Sequence, residues 1–451
     1  MNKAIKVSYR CDDKFYLSID NKEYYVDFPE FNSFSLADVI GSNLSLMYSY
    51  HLGIIKNKPV KYNSTIPRFQ SQILKNILYD LPSCEVEDQN LTMETLLKRF
   101  FNLKPEYEYP YVENGKITYP YDVYEDKVTL AFSFGKDSLL SLLIAQELGK
   151  DVQPFYIIEH SMKYEYENKI KLIKNLEKEH KIKTNILTNT ISLLRDPEYL
   201  QCTPDEAELS WGTQNTQYSF MALPYARLHE SSSIIFGNEF TTNTLYYNEA
   251  GYETSPCIDQ SSQWTNEISA MIQQITENKV NVTSYIEPFT DLLVMATLTN
   301  RYPDMIKYIM SCFGGPNGKW CHTCDICSKM YLMLLAVGID PKLAGYNQDM
   351  LKKENSHFFS IFGGKSKLQY LNTSMAYNEQ LVNFELAYKR GNRSPLTVKA
   401  HELLLKEDRN FDELFDYFKS FKKPITIKSN KIISELKAIH DETSNNVFNN
   451  L

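Results

Sequence analysis

At roughly 100–200 residues per domain, a chain of 451 residues has room for two to four domains and a large buried core. With 43% hydrophobic and 23% charged residues the composition is that of a globular protein and excludes disorder on a large scale. Forty-eight Lys and Arg against 56 Asp and Glu leave a net charge of -8, which denies the molecule as a whole the cationic surface that nucleic acid or anionic lipid requires.

The first residues pass straight into an alternating pattern with no apolar leader, and no later apolar run reaches the ~18 residues of a membrane span, so a cytoplasmic protein is expected. Ile5, Val7 and Tyr9, then Phe15, Leu17 and Ile19, then Tyr24, Val26 and Phe28 alternate with polar residues around turn-prone Asp12-Asp13 and Asp20-Asn21. That period of two predicts a three-stranded antiparallel meander. Phe69, Ile73, Leu74, Ile77 and Leu78 recur at helical spacing over 68–80, and a second helix is predicted over 93–101. The Tyr-, acid- and Pro-containing stretch 104–126 reads as a connector, with a domain boundary near 120.

Beyond it, short strand-like runs alternate with helical ones. Strands are predicted at 128–132, 152–158, 184–188 and 233–236, and helices at 139–148, 163–180 and 218–230. That order argues for an α/β fold with a parallel sheet covered on both faces, whose ligands bind at the carboxyl ends of the strands. The last ten residues, rich in Asn and Ser, are expected to fray.

Between the first of these strands and its helix lies Ser133-Phe134-Gly135-Lys136-Asp137-Ser138. A short Ser/Gly loop opening a helix presents backbone N–H groups and a positive helix end, a chemistry that suits pyrophosphate. Gly135 would allow close approach, Ser133 and Ser138 would donate hydroxyls, Lys136 would add charge, and Asp137 would orient the loop or help to hold Mg²⁺. The same residues would also serve as a plain turn capped by Asp137 or Ser138. Further on, Cys312, Cys321, Cys324 and Cys327 follow the spacing Cys-x8-Cys-x2-Cys-x2-Cys, with glycines in the first spacer. Four converging thiolates would fill the tetrahedral shell of a structural Zn²⁺, and an iron–sulfur cluster is the competing reading. The other four cysteines are scattered and read as core thiols.

The loop resembles the PP-loop of the ATP pyrophosphatase superfamily, Ser-Gly-Gly-x-Asp-Ser, with Phe134 in place of the first glycine. Together with the cysteine spacing it resembles the QueC family, the 7-cyano-7-deazaguanine synthases, over roughly 127–335. Thr213-Gln214-Asn215-Thr216, Gly237-Asn238-Glu239, Ser255-Pro256-Cys257-Ile258-Asp259 and Glu287-Pro288-Phe289 agree in part, although Gln214 replaces an arginine and Asp291-Leu292-Leu293 lacks a lysine usual after that proline. The resemblance implies an adenine-nucleotide alpha hydrolase-like, doubly wound core (121–340) with a zinc knuckle at 312–327, flanked by an N-terminal α+β addition (1–120) and a mainly helical C-terminal one (341–451).

It also implies an activity: ATP adenylates a 7-deazaguanine carboxylate, and a C–N bond follows, giving an amide, a nitrile or a protein conjugate. Ser133, Lys136, Asp137 and Ser138 would act in catalysis, and Ser133, Gly135, Lys136, Asp137, Ser138, Ile158, Asn215 and Gly237 would hold ATP and Mg²⁺. Glu159, His160, Asn238 and Glu239 would contact the acid, although His160 equally suits a structural hydrogen bond. The long flanks resemble the QatC group of antiviral operons and so imply a protein partner. Homo-oligomerisation stays open. Residues 389–437 hold twelve Lys or Arg against seven Asp or Glu, which leaves a local phosphate-binding face conceivable but fits solvated helices better. Two other classes stay open, a PP-loop reductase or sulfur-transfer enzyme with an iron–sulfur cluster, and a non-catalytic nucleotide- or partner-binding module.

Overall fold

The computed structural model describes residues 3–83, 92–109, 117–160, 162–203, 209, 211–248, 250–316, 318–366, 369–407 and 409–449. The predicted meander is present as β1 (Ile5–Cys11), β2 (Phe15–Ile19) and β3 (Lys22–Val26), paired antiparallel, and is followed by α1 (Ala37–Lys56), β4 (Val60–Tyr62), α2 (Gln70–Asp80), α3 (Met93–Asn102) and β5 (Glu106–Tyr107). Part of the expected connector, 110–116, lies outside the described residues.

These strand-like runs form parallel strands. In chain order come β6 (Tyr124–Ala131), α4 (Lys136–Glu147), β7 (Asp151–Glu159), α5 (Lys163–His180), β8 (Asn185–Asn189), a one-turn α6 (Pro197–Leu200), α7 (Gln214–His229) and β9 (Ser231–Ile235). A two-stranded hairpin, β10 (Tyr246–Tyr247) and β11 (Glu253–Thr254), precedes α8 (Ser262–Ile275), β12 (Asn281–Thr283), α9 (Asp291–Arg301) and α10 (Asp325–Ala336). α7 begins four residues before its predicted start because the Asp259 carboxylate, from a distant loop, accepts the Asn215 backbone N–H at 3.0 Å.

All strands but the hairpin join one ten-stranded, mostly parallel sheet of order β12-β9-β6-β7-β8-β3-β2-β1-β4-β5. The sheet runs across the boundary expected near residue 120, since β3 pairs with β8 through Val26 and Asn189. Period-two alternation divides the strand side chains between two cores: Ile234 packs with α7, α8 and α1, whereas Ile235, Val128 and Leu130 pack with α4 and α9. Both faces are therefore covered, as is usual for parallel strands. β7 and β8 extend to one side of β6, and β9 and β12 to the other. The switch in winding lies between β6 and β9, and such a point opens a crevice beyond the strands' carboxyl ends.

The C-terminal part contributes α11 (Ser374–Lys389), α12 (Pro395–Lys406), α13 (Phe411–Lys419) and α14 (Asn430–Phe448). α13 is started by Asn410, whose side chain accepts the Glu413 N–H. Of the last ten residues, expected to fray, 442–448 are helical: α14 continues to Phe448, because Val447 and Phe448 are buried in the core shared with α4 and α9, and 450–451 lie outside the described residues. None of the described helices is long and apolar enough to cross a membrane.

Candidate functional site

The loop Ser133–Ser138 leaves the end of β6 and closes on itself. The Ser133 backbone N–H donates to Ser138 Oγ at 3.1 Å, and Ser138 Oγ donates to the Gly135 carbonyl at 3.2 Å. Phe134 takes the left-handed conformation with φ 60°, its carbonyl accepts Met310 N–H at 2.8 Å, and its ring is fully buried 4.4 Å from that of Phe132. The aromatic ring thus points into the core and lines no part of the crevice described below. Gly135 has φ -59° and ψ 152°, angles open to any residue, and a Cβ there would meet nothing closer than 3.4 Å. Neither conformation nor packing demands glycine at 135. Gly237, after β9, is different: a Cβ would lie 2.8 Å from Ser138 N and 2.9 Å from the Asp137 carbonyl carbon, so only glycine lets this strand end pack on the start of α4.

At this switch point lies a cavity of about 230 Å³. Lys136 and Asp137 line it from the loop, Gly237 and Glu239 from the end of β9, Asp291 from α9, Lys329 from α10, and Tyr370, Thr373 and Glu379 from the segment leading into and through α11. Its charged groups form a chain. Lys136 bonds Asp137 at 2.6 Å and pairs with Asp291, Asp291 pairs with Lys329, and Lys329 lies 3.3 Å from Glu379. Burial opposes the charge of Lys136, but Asp137 and Asp291 outweigh it and hold the ammonium above its usual range. Burial also opposes ionisation of Asp291, and here its two lysines win and hold the carboxyl below the usual range. Glu239 is pushed well up by burial and then by Asp291, and Glu379 is pushed to about 7 by burial despite Lys329.

Of the residues singled out in the sequence, the cavity gathers Lys136, Asp137, Gly237 and Glu239. Asn215 and Asn238 bond each other at 3.0 Å next to it, and Asn238 in turn donates to Thr265 Oγ1 at 3.1 Å. Ser133, Gly135 and Ser138 stay within the loop itself. Ile158, Glu159 and His160, at the end of β7, lie outside the cavity lining. There Glu159 accepts from Tyr218 at 2.7 Å and from Arg195 and Asn189 at 3.4 Å, while His160 donates its backbone N–H to Ser192 and sets Nδ1 against the Asn189 carbonyl. Sequence reasoning missed Asp291, Lys329, Tyr370 and Glu379. Asp291 was noticed only for not being lysine, and Lys329 supplies an ammonium against that carboxylate from another helix.

The four cysteines converge, with all Sγ atoms within 4.8 Å of one another. Two of the separations, Cys312–Cys324 and Cys321–Cys327, are 3.7 Å. A tetrahedral ion at a Zn–S distance of ~2.3 Å spaces its sulfurs about 3.8 Å apart. The set therefore fits one ion such as zinc, whereas a multi-iron cluster would spread its thiolates onto different metal atoms. Gly314 and Gly318 take positive φ, and Gly315 and Gly318 bond back to back, which folds the spacer so that Cys312 reaches the others. Backbone N–H groups of Gly314 and Thr323 point at Cys312 and Cys321 sulfurs. Trp320 stacks on Tyr346, whose hydroxyl holds the Cys327 carbonyl at 2.9 Å. Cys324 caps α10, so the knuckle sets the start of the helix that carries Lys329.

Compared with protein-family models and with curated protein sequences, the chain matches none.

Proposed function

We propose that the chain is a QueC-like, ATP-dependent ligase that adenylates a 7-deazaguanine-type carboxylate and passes the acyl group to nitrogen. The observation that carries this reading is the Ser133–Ser138 loop, opening α4 beside Gly237 at the switch point of a parallel sheet, where anion-binding helix ends and ligand crevices coincide. Glycine at 135 supports it too, since the fold itself has no use for one there.

A carboxylate is a poor electrophile until its oxygen becomes part of a good leaving group. In the proposed reaction that oxygen bonds to the α-phosphorus of ATP and the bond to pyrophosphate breaks. A nitrogen nucleophile then bonds to the acyl carbon, the bond to AMP breaks, and the nitrogen loses a proton. Ser133, Ser138 and the backbone at Gly135 would hold the departing pyrophosphate, with Lys136 and Asp137 fixing the loop from the cavity side; Mg²⁺ would supply further charge neutralisation. Ile158 and Asn215 would border the nucleotide, and Glu159, His160, Asn238 and Glu239 the acid. The knuckle ion would be a structural Zn²⁺, since four thiolates leave no open position. A QatC-like role in antiviral defence, with a protein partner, fits a chain whose C-terminal part does not stand apart but walls the cavity.

Incubation with Mg-ATP and 7-carboxy-7-deazaguanine should release pyrophosphate and AMP above the ATP-only background. Absence of that release, with acceptor amine and zinc supplied, would overturn the proposal. Mass spectrometry of the other product identifies the acceptor.

A further inference from the structure

The cavity at the switch point holds two cations against four carboxylates. Lys136 and Lys329 share Asp291, and each has one further carboxylate, Asp137 and Glu379. Glu239 is buried and accepts the Thr241 backbone N–H, and among the described residues it makes no ion pair. Glu379 is 3% exposed, and its Oε1 is buried with no hydrogen-bond donor. A carboxylate oxygen stripped of water and offered no N–H is a standing penalty that a bound donor removes.

Size and spacing restrict what that donor can be. A volume of about 230 Å³ lies below the ~300–1,000 Å³ of pockets that enclose drug-sized molecules, so the occupant is a small molecule or one arm of a larger one. A hard divalent ion draws several oxygens to within ~2.0–2.6 Å of one point. The carboxylates here ring a space instead: among the described residues only the four cysteines converge tightly enough for a metal. The buried, donor-less oxygen of Glu379 disfavours an anion. Pro256, Met375 and Ala376 add an apolar stretch of wall that suits a methylene stem, and the threonines 241, 242, 244 and 373 add polar edges.

We propose that this cavity is a primary-amine site, which takes an alkylammonium group against Glu379 with its stem along Pro256, Met375 and Ala376. An ammonium brings three donors and one positive charge, and so satisfies Glu379 Oε1. Naming the amine as the acyl acceptor rests on the function proposed above; the binding site does not. In that role Glu379, whose burial places its carboxyl at about 7, is the group positioned to take the proton that the ammonium loses before its nitrogen bonds to the acyl carbon and AMP leaves. The amine could be free or belong to a lysine of a protein, and both share this chemistry.

Calorimetric titration of the full, zinc-loaded chain at fixed ionic strength tests the site, with n-butylammonium and Nα-acetyl-lysine amide as separate probes and tetramethylammonium, Mg²⁺ and butyrate as controls. One-site binding of either amine, weakened about tenfold or more in Glu379→Gln, is expected. Binding of the lysine derivative alone assigns a protein side chain as the occupant, and binding of both a free amine. Met375→Trp, which fills the apolar side of the cavity, should also abolish binding and covers the case in which Glu379→Gln fails to fold. No binding of either amine, equal binding of a control, or amine affinity unchanged in the folded variants overturns the proposal. No titration contains ATP, so this result and the pyrophosphate assay fail independently.

Discussion

Phe134 holds a backbone conformation that costs a residue with a β-carbon about 1–2 kcal/mol, at the position where the resembled loop has glycine. Burial of its ring in the core against Phe132 offsets that strain. The usual order of substitutions should therefore invert: Phe134→Ala loses the ring, worth about 3–5 kcal/mol, and keeps the strain, whereas Phe134→Gly loses the ring and the strain together. Urea denaturation should find the glycine variant at least as stable as the alanine one. Gly135→Ala should behave in the opposite sense, with folding stability unchanged or raised by about 0.4–1 kcal/mol because φ -59° suits alanine. Its nucleotide affinity should fall, as the methyl group faces the phosphates of the proposed complex; unchanged ATP affinity would remove Gly135 from the site. Asp259 offers a pH test. Burial pushes its carboxyl to about 7 against the hydrogen bond from Asn215. The folded protein then keeps a proton that the unfolded chain gives up near pH 4, so this group's contribution to stability falls as pH rises from about 4 to 7 and is level above that. Glu379 acts with the same sign. His51, held at about 4 by burial, acts with the opposite one, stabilising as pH rises from about 4 to 6.5. Comparing wild type with Asp259→Asn at pH 5 and pH 8 cancels the other two: the variant should lose less stability on going to pH 8.

Among the elements, those with one kind of environment were legible and those with two were not. The meander alternates because one face of each strand is buried, and the second half of β6, Val128–Ala131, shows no such alternation because both of its faces are covered. α1 gave no signal although it is twenty residues long. It is buried nearly all round, so no polar stripe marks a period, and it pays for close contacts with small residues: a Cβ at Gly41 would fall 2.6 Å from Cys11 Sγ, and one at Gly53 2.7 Å from Val60 Cγ2. In the linker after α13 the buried carboxylate of Glu287 accepts the backbone N–H groups of Ile425 at 2.8 Å and Thr426 at 3.0 Å, and Lys422 N–H donates to the Pro288 carbonyl at 2.9 Å. Glu287→Ala should cost about 3–6 kcal/mol, from two charge-assisted hydrogen bonds of about 1.5–3 kcal/mol each, and hydrogen exchange should rise first over residues 420–429. The knuckle gives a second test at this scale. Chelation should release one metal ion per chain, lower the melting temperature and change the fluorescence of Trp320, which stacks beside the cysteines; a chain unaffected by chelators would rule out a structural metal.

At the scale of the molecule, the expected flanks are not appendages. Phe415, Phe418, Leu436, Ile439, Val447 and Phe448 lie in the same hydrophobic cluster as the residues of α4 and α9. A chain ended after residue 340 should therefore aggregate or unfold; a monomeric, cooperatively melting fragment would show that the two parts are separable. The same arrangement explains why half of the site was legible. Lys136, Asp137, Gly237 and Glu239 stand at the ends of strands that the apolar pattern reveals, and the four cysteines announce themselves by spacing. Asp291, Lys329 and Glu379 sit inside helices, far apart in the chain, and only the packing of α9, α10 and α11 brings them to one place. One consequence concerns how the protein is made. The loop Ser133–Ser138 leaves the ribosome early, but the last wall of the cavity beside it arrives only with Glu379, so a nascent or prematurely terminated polypeptide carries the loop without that enclosure.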